Sequence, residues 1–231
     1  MRITDLLNIT HEDNMLLMSR YPDKYFDLAI VDPPYGINAP NMKMGENKGY
    51  LSTASKLKGR LNSGGGKLKN RILNKSEIDW DDEVPNEDYF KELFRVSKNQ
   101  IIWGGNYFPL PPTRGIIFWD KLQPWENFSQ FELAWSSFDK PAAKVTISTT
   151  GGANKEKKIH PTQKPVELYK WLLNKYAQSG DKILDTHLGS ASIAIACHDY
   201  NFELTACEKK ESYFKDSIQR INAHTQQLKL F

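Results

Sequence analysis

Apolar residues fall into two periods along this chain. Short, nearly continuous apolar runs at 26–31, 100–103, 115–119, 131–135, 182–185 and 202–206 predict buried β-strands, several of them closed by glycine or an acid. Three segments read as helices instead, two of them by their 3–4 spacing. Phe90, Leu93, Phe94 and Val96 predict one amphipathic helix, and Val166, Tyr169, Leu172, Leu173 and Tyr176 a second. The third is a helix over 193–199. Pro165 suits the first turn of the second helix, with Thr162 or Gln163 near its cap. That helix N-terminus, beside Lys164, would favour a carboxylate; a plain capped helix explains the same residues.

The order strand, Gly189-Ser190-Ala191-Ser192, helix, strand, Glu208 is a βαβ pattern. Such a unit places a nucleoside at the carboxyl ends of parallel strands, and Glu208 follows Gly189 at about the spacing of a ribose-binding acid. A purely structural unit would read the same way. No G-x-x-x-x-G-K-[ST] or G-x-G-x-x-G occurs, which argues against a P-loop nucleotide or a dinucleotide cofactor.

The strand at 26–31 runs straight into Asp32-Pro33-Pro34-Tyr35. The prolines remove N–H donors and keep the preceding residues extended, so the Asp32 carboxylate and Pro33 carbonyl project as a pair of acceptors. An exocyclic amine on a flat ring could donate one N–H to each while Tyr35 stacks on the ring. The plainer reading is a proline turn with Asp32 solvated or capping.

Composition narrows the class. At 231 residues and 26.6 kDa the chain fits one α/β domain, here read as 1–231, with room for an inserted segment. With 39% apolar residues and no membrane-length run, a soluble protein is expected, with no membrane partner. No signal-like N-terminus appears, and Cys197 and Cys207 lack metal-ligand spacing. A reducing, cytoplasmic setting follows, with both thiols as buried apolar groups and no metal site.

The net charge of +3 conceals an uneven distribution. Residues 41–75 hold nine Lys/Arg against Glu46 alone, a local excess of +8 that leaves −5 for the rest. This glycine-rich stretch reads as a long mobile loop leaving the Asp32 corner. Lys43, Lys56, Lys58, Arg60, Lys67, Lys69 and Arg71 are its candidate phosphate contacts. A solvated linker is the alternative. The region 109–158 is irregular and partly basic as well.

Three motifs in the order Asp32-Pro33-Pro34-Tyr35, His160 to Pro165, and Asp185-Thr186-His187-Leu188-Gly189-Ser190 carry a resemblance. Together with 102–108 and Trp119-Asp120-Lys121, they resemble the β-group of S-adenosylmethionine-dependent DNA amino-methyltransferases of bacterial restriction–modification systems and phages, most of all the adenine-N6 members. The resemblance implies a doubly wound, mostly parallel, seven-stranded Rossmann-like sheet with a basic loop insertion. It implies a target-recognition region at 109–158 and a cofactor-binding part at 160–208.

It further implies S-adenosyl-L-methionine as cofactor and double-stranded DNA as partner, and it is compatible with a homodimer and a cognate restriction endonuclease. Asp32, Pro33, Pro34 and Tyr35 become the catalytic residues. Asp185, Gly189 and Ser190 become the cofactor loop, Glu208 the ribose acid, Thr162 and Lys164 the methionine contacts, and Asp13 the adenine contact. N4-cytosine methylation is the neighbouring activity, and an inactive DNA-binding relative the non-enzymatic one. Asp32 favours adenine, since cytosine-modifying relatives more often carry serine there. Two departures stand out. Thr186-His187 replaces a common Pro-Phe, so that His187 is either a new aromatic wall or a packed histidine. Ala191 replaces a common glycine, which argues against positive φ at that position.

Overall fold

Strand β2, Phe26–Val31, is paired along both edges and is buried over most of its length. The computed structural model describes residues 3–37, 84–123, 129–149, 158–160 and 162–226. Within them lie β1 (Leu7–His11), α1 (Asn14–Ser19), β2, α2 (Glu87–Val96), β3 (Ser97–Trp103), β4 (Ile117–Asp120), β5 (Phe131–Ser136), β6 (Ala143–Thr146), α3 (Val166–Tyr176), β7 (Lys182–Asp185), α4 (Ser192–Tyr200), β8 (Glu203–Glu208) and α5 (Glu211–Thr225). The strands form one sheet in the order β1-β8-β7-β2-β3-β5-β4-β6. Every pairing is parallel except the two made by β5. The expected class holds, and the described sheet has eight strands where seven were expected.

Side-chain alternation along β2 builds two cores. Leu28 and Ile30 face α3 and α4 with Leu7, Ile9, Ile183, Leu204 and Ala206, while Ala29 and Val31 face α1 and α2 with Leu17, Met18, Tyr89, Phe90 and Leu93. Helices therefore cover both faces, as a mostly parallel sheet requires. Helix α2 starts where Asn86 accepts from the Tyr89 N–H at 3.0 Å, with Glu87 and Asp88 in its first turn and Arg95 in its last. Helix α4 ends at Asn201, which takes the left-handed conformation at φ 59°.

Three expectations at element ends are corrected. Pro165 is the N-cap of α3 rather than a residue of its first turn, and no side chain caps that helix. Gln163 accepts from the Ile159 N–H instead, and Thr162 pairs with His160. Ala191, expected to exclude positive φ, adopts φ 61° as the N-cap of α4. No described helix is long and apolar enough to cross a membrane.

The strand order reverses between β2 and β7. From β2 the sheet grows through β3 to β6, and from β7 through β8 to β1. Open α/β sheets bind ligands in the crevice at such a switch point, at the carboxyl ends of the strands. Asp32 follows β2 and Asp185 ends β7, so the two candidate motifs meet at that crevice although 153 positions separate them in sequence.

Candidate active site

The Asp32 carboxylate is held on both oxygens. Tyr35 Oη donates to Oδ1 at 2.6 Å, and Lys164 Nζ donates to Oδ2 at 2.5 Å. A carboxylate offers about four acceptor positions, so each oxygen can still accept from another donor. The Tyr35 ring stacks on Tyr107 with centroids 5.0 Å apart and planes 15° apart, and Tyr107 itself is exposed. Gly104 makes room for this ring: at φ 68°, a Cβ there would come within 2.2 Å of Tyr35 Cε1.

Lys164 is drawn into the Asp32 corner by its own protein partners. Its ammonium, with a side chain 3% exposed, lies 2.5 Å from Asp32 Oδ2, 3.1 Å from Glu132 Oε2 and 3.3 Å from Tyr35 Oη. Burial works against its charge, but the Asp32 and Glu132 carboxylates outweigh it and raise its pKa. Glu132 in turn meets Lys121 Nζ at 2.5 Å through Oε1. Burial would raise the Glu132 pKa, and the two ammonium groups bring it below the ordinary range. Sequence reading missed Glu132, since nothing in Phe131–Ser136 distinguishes its acid from a solvated strand residue.

Across the crevice, Asp185 is buried and its carboxyl is pushed up to about 8. Burial is the largest cause, reinforced by the Asp32 and Glu208 carboxylates and opposed by the His187 N–H, which donates to Oδ1 at 2.9 Å. Glu208 accepts from the Gly189 N–H through Oε2 and from the Lys210 N–H through Oε1, both at 2.9 Å, which ties the loop to the end of β8. Burial raises its pKa as well. Ser190 is buried, and its carbonyl accepts from Arg220 Nη1 of α5 at 2.6 Å. Arg220 lies 30 positions on and carries no local signal.

His187 is a packed histidine with a neighbour at each ring nitrogen. Asn14 Nδ2 lies 3.1 Å from its Nε2 and Thr186 Oγ1 lies 2.9 Å from its Nδ1. With the amide donating, the ring proton sits on Nδ1. Its ring meets Tyr89 edge-on at 5.4 Å, and burial lowers its pKa to about 4, so it is neutral. Thr186 Oγ1 continues the chain to Tyr89 Oη at 2.7 Å. Polar Thr186-His187 is therefore accommodated because every ring nitrogen finds a partner.

Asp13 caps α1, accepting from the Met15 N–H at 2.9 Å, and faces Lys209 at 3.2 Å. It lies next in sequence to Asn14, whose amide reaches His187, on the same side of the crevice. Thr162 is exposed and pairs with His160 Nδ1 at 3.1 Å. Burial lowers the His160 pKa to about 3. The basic residues Lys43, Lys56, Lys58, Arg60, Lys67, Lys69 and Arg71, with the whole of 41–75, lie outside the described residues. The region 109–158 contains β4, β5 and β6, so part of it belongs to the sheet; β6, at four residues, is too short for its alternation of Ala143 and Val145 with Lys144 and Thr146 to stand out in the sequence.

Comparison with known proteins bears on this crevice. The sequence profile of the N6/N4 type DNA methylase family matches residues 67–219, well over half of the 231; Asp32 to Tyr35 lie outside that span. The type II methyltransferase M.HpaI of Haemophilus parainfluenzae is 30% identical over 70 residues, which are 30% of this chain and 22% of that enzyme. The chain thus spans about a fifth of that relative's length. Among solved structures, the M1.HpyAVI–SAM complex is similar at a TM-score of 0.56 and 16% identity, over 94% of this chain and 99% of that one. PvuII DNA methyltransferase, cytosine-N4-specific, is similar at 0.56 and 13% identity, over 99% of this chain and 89% of that one.

Proposed function

The chain belongs to the N6/N4 DNA methylase family, and we propose that it methylates the exocyclic N6 of adenine in double-stranded DNA, with S-adenosyl-L-methionine as donor. The observation that carries this reading is the meeting of the Asp32 corner and the Asp185 loop at the sheet's switch point. The residues present suit the donor. Asp32, Asp185 and Glu208 lie close enough for the first and last to raise the Asp185 pKa, an excess of carboxylates matched to a ligand that carries sulfonium and ammonium cations. Asp185, Gly189 and Ser190 would hold it, with His187 as a wall, Glu208 on the ribose and Asp13 and Thr162 at the margins. Lys164 is omitted, because its ammonium already donates to Asp32 and Tyr35 and is paired in charge with Glu132.

When bound, the donor supplies an electrophilic methyl group on a sulfonium centre. An adenine amine is a poor nucleophile because its lone pair is delocalised into the ring, and a stacked base cannot reach the crevice, so the nucleotide must be flipped out. Asp32 and the Pro33 carbonyl would each accept one amine N–H, localising the lone pair on nitrogen and aiming it, while Pro34 fixes the corner. Tyr35 clamps the ring. Orientation supplies most of the acceleration, and Asp32 need only take the proton as the new N–C bond forms.

The test is expression of the chain in a methylation-deficient bacterium, followed by single-molecule sequencing of its DNA. N6-methyladenine at a short recurring sequence is expected, and Asp32→Ala should abolish it while the purified variant still binds S-adenosyl-L-methionine. N4-methylcytosine without N6-methyladenine would overturn the choice of base.

A further inference from the structure

Glu132 and Lys121 have no part in the mechanism above, yet they close a chain of alternating charges that ends on its central carboxylate. We propose that Lys121, Glu132 and Lys164 are positioning residues that set how firmly Asp32 is held. The proposal rests on the functional reading of Asp32 given above.

The geometry is that of a shared cation. Lys164 Nζ donates to Asp32 Oδ2 and Tyr35 Oη and lies at ion-pair distance, 3.1 Å, from Glu132 Oε2, which accepts no hydrogen bond. Its side chain is 3% exposed, so water contributes little to its solvation. It also lies 5.3 Å from the Trp103 ring centroid and 5.8 Å from that of Tyr35. An ammonium in that setting binds whatever anions face it, and charge-assisted bonds are the strong ones. With Asp32 as its sole anion, Lys164 would draw on the electron density that Asp32 must offer to an amine. Glu132 divides the attraction, and Lys121, at 2.5 Å, holds Glu132 in place from the other side. The four groups sum to zero charge, which is how a partly buried ionic cluster avoids a large desolvation cost.

The role differs from that of a donor contact and from that of a structural bridge, and kinetics separate the three. Glu132→Gln keeps volume and an acceptor oxygen but removes the charge that competes with Asp32; Lys164→Met removes the shared cation. For purified Glu132→Gln the expectation is a fall in kcat of about 10-fold or more, with the Kd for S-adenosyl-L-methionine within about 2-fold of wild type. Lys164→Met should fall further with the same split, and Glu132→Asp should recover part of the loss. The fraction folded, read from the thermal transition, normalises every rate.

A Kd raised about 10-fold at unchanged kcat in Lys164→Met would make Lys164 a donor contact and overturn the proposal. Normalised rates equal to wild type in both variants would make the cluster merely structural and overturn it too. Either result beside an active wild type leaves the functional reading intact. A wild type that methylates nothing would overturn that reading, and the proposal with it.

Discussion

Burial in the crevice keeps the Asp185 carboxyl near 8, so at neutral pH most molecules hold it protonated. A cation placed against it removes the reason for that proton. Binding of S-adenosyl-L-methionine at pH 7 is therefore expected to release close to one proton, and Asp185→Asn should bind without release. Calorimetry in buffers of different ionisation enthalpy reads the number directly, and release unchanged in the variant would move the origin elsewhere. Lys164 teaches a related lesson. The sequence pointed it at a carboxylate, and it does meet one, but the partner is Asp32, 132 positions away, and no local spacing could have named it. His187 was legible as an aromatic residue beside Thr186; its neutrality comes from burial, and only packing brings Asn14 to its Nε2.

At the level of elements, two short turns carry strain or crowding that the site uses. Ala191 adopts φ 61° at the start of α4, a conformation that costs an L-residue roughly 1–2 kcal/mol, and it is fully buried there. The α4 N-terminus is thus shaped by its surroundings rather than by its own preference. Gly104 ends β3 and turns the chain so that Tyr107 reaches Tyr35. A methyl group there would meet the Tyr35 ring at 2.2 Å and take on a positive φ as well. Gly104→Ala should destabilise the protein by about 2–4 kcal/mol, measured by urea unfolding. The surviving folded fraction should have lost most methylation through displacement of Tyr35. Full activity in a stable variant would show that the ring can shift without consequence. Helices α2 and α3 were legible from their spacing and α4 from the small-residue turn before it, whereas β1 and β6, short and partly polar, needed their sheet neighbours to become strands.

Across the whole molecule, three groups at the crevice tie stability to pH in opposing senses. His187 and His160 have pKa values lowered to about 4 and about 3, so their contribution is present above pH ~6.5 and is lost as pH falls. Asp185 is raised to about 8, so its contribution is present below pH ~4 and is lost as pH climbs through 8. Thermal stability of the ligand-free protein is expected to peak between about pH 6 and 7, where the histidine gain and the carboxyl loss balance. Asp185→Asn should flatten the alkaline side, and a wild-type stability that kept rising from pH 7 to 9 would contradict the assignment.

The sequence by itself determined the class of sheet, the strand–helix alternation and the chemistry of the two motifs, because hydrophobic period and proline or glycine placement act over a few residues. Only the tertiary structure decided that the Asp32 corner and the Asp185 loop share one crevice, and that Lys121, Glu132 and Lys164 join Asp32. Strand order and ion pairing arise from packing between separate segments, Asp32 and Lys164 being 132 positions apart, and local sequence does not encode which of them meet.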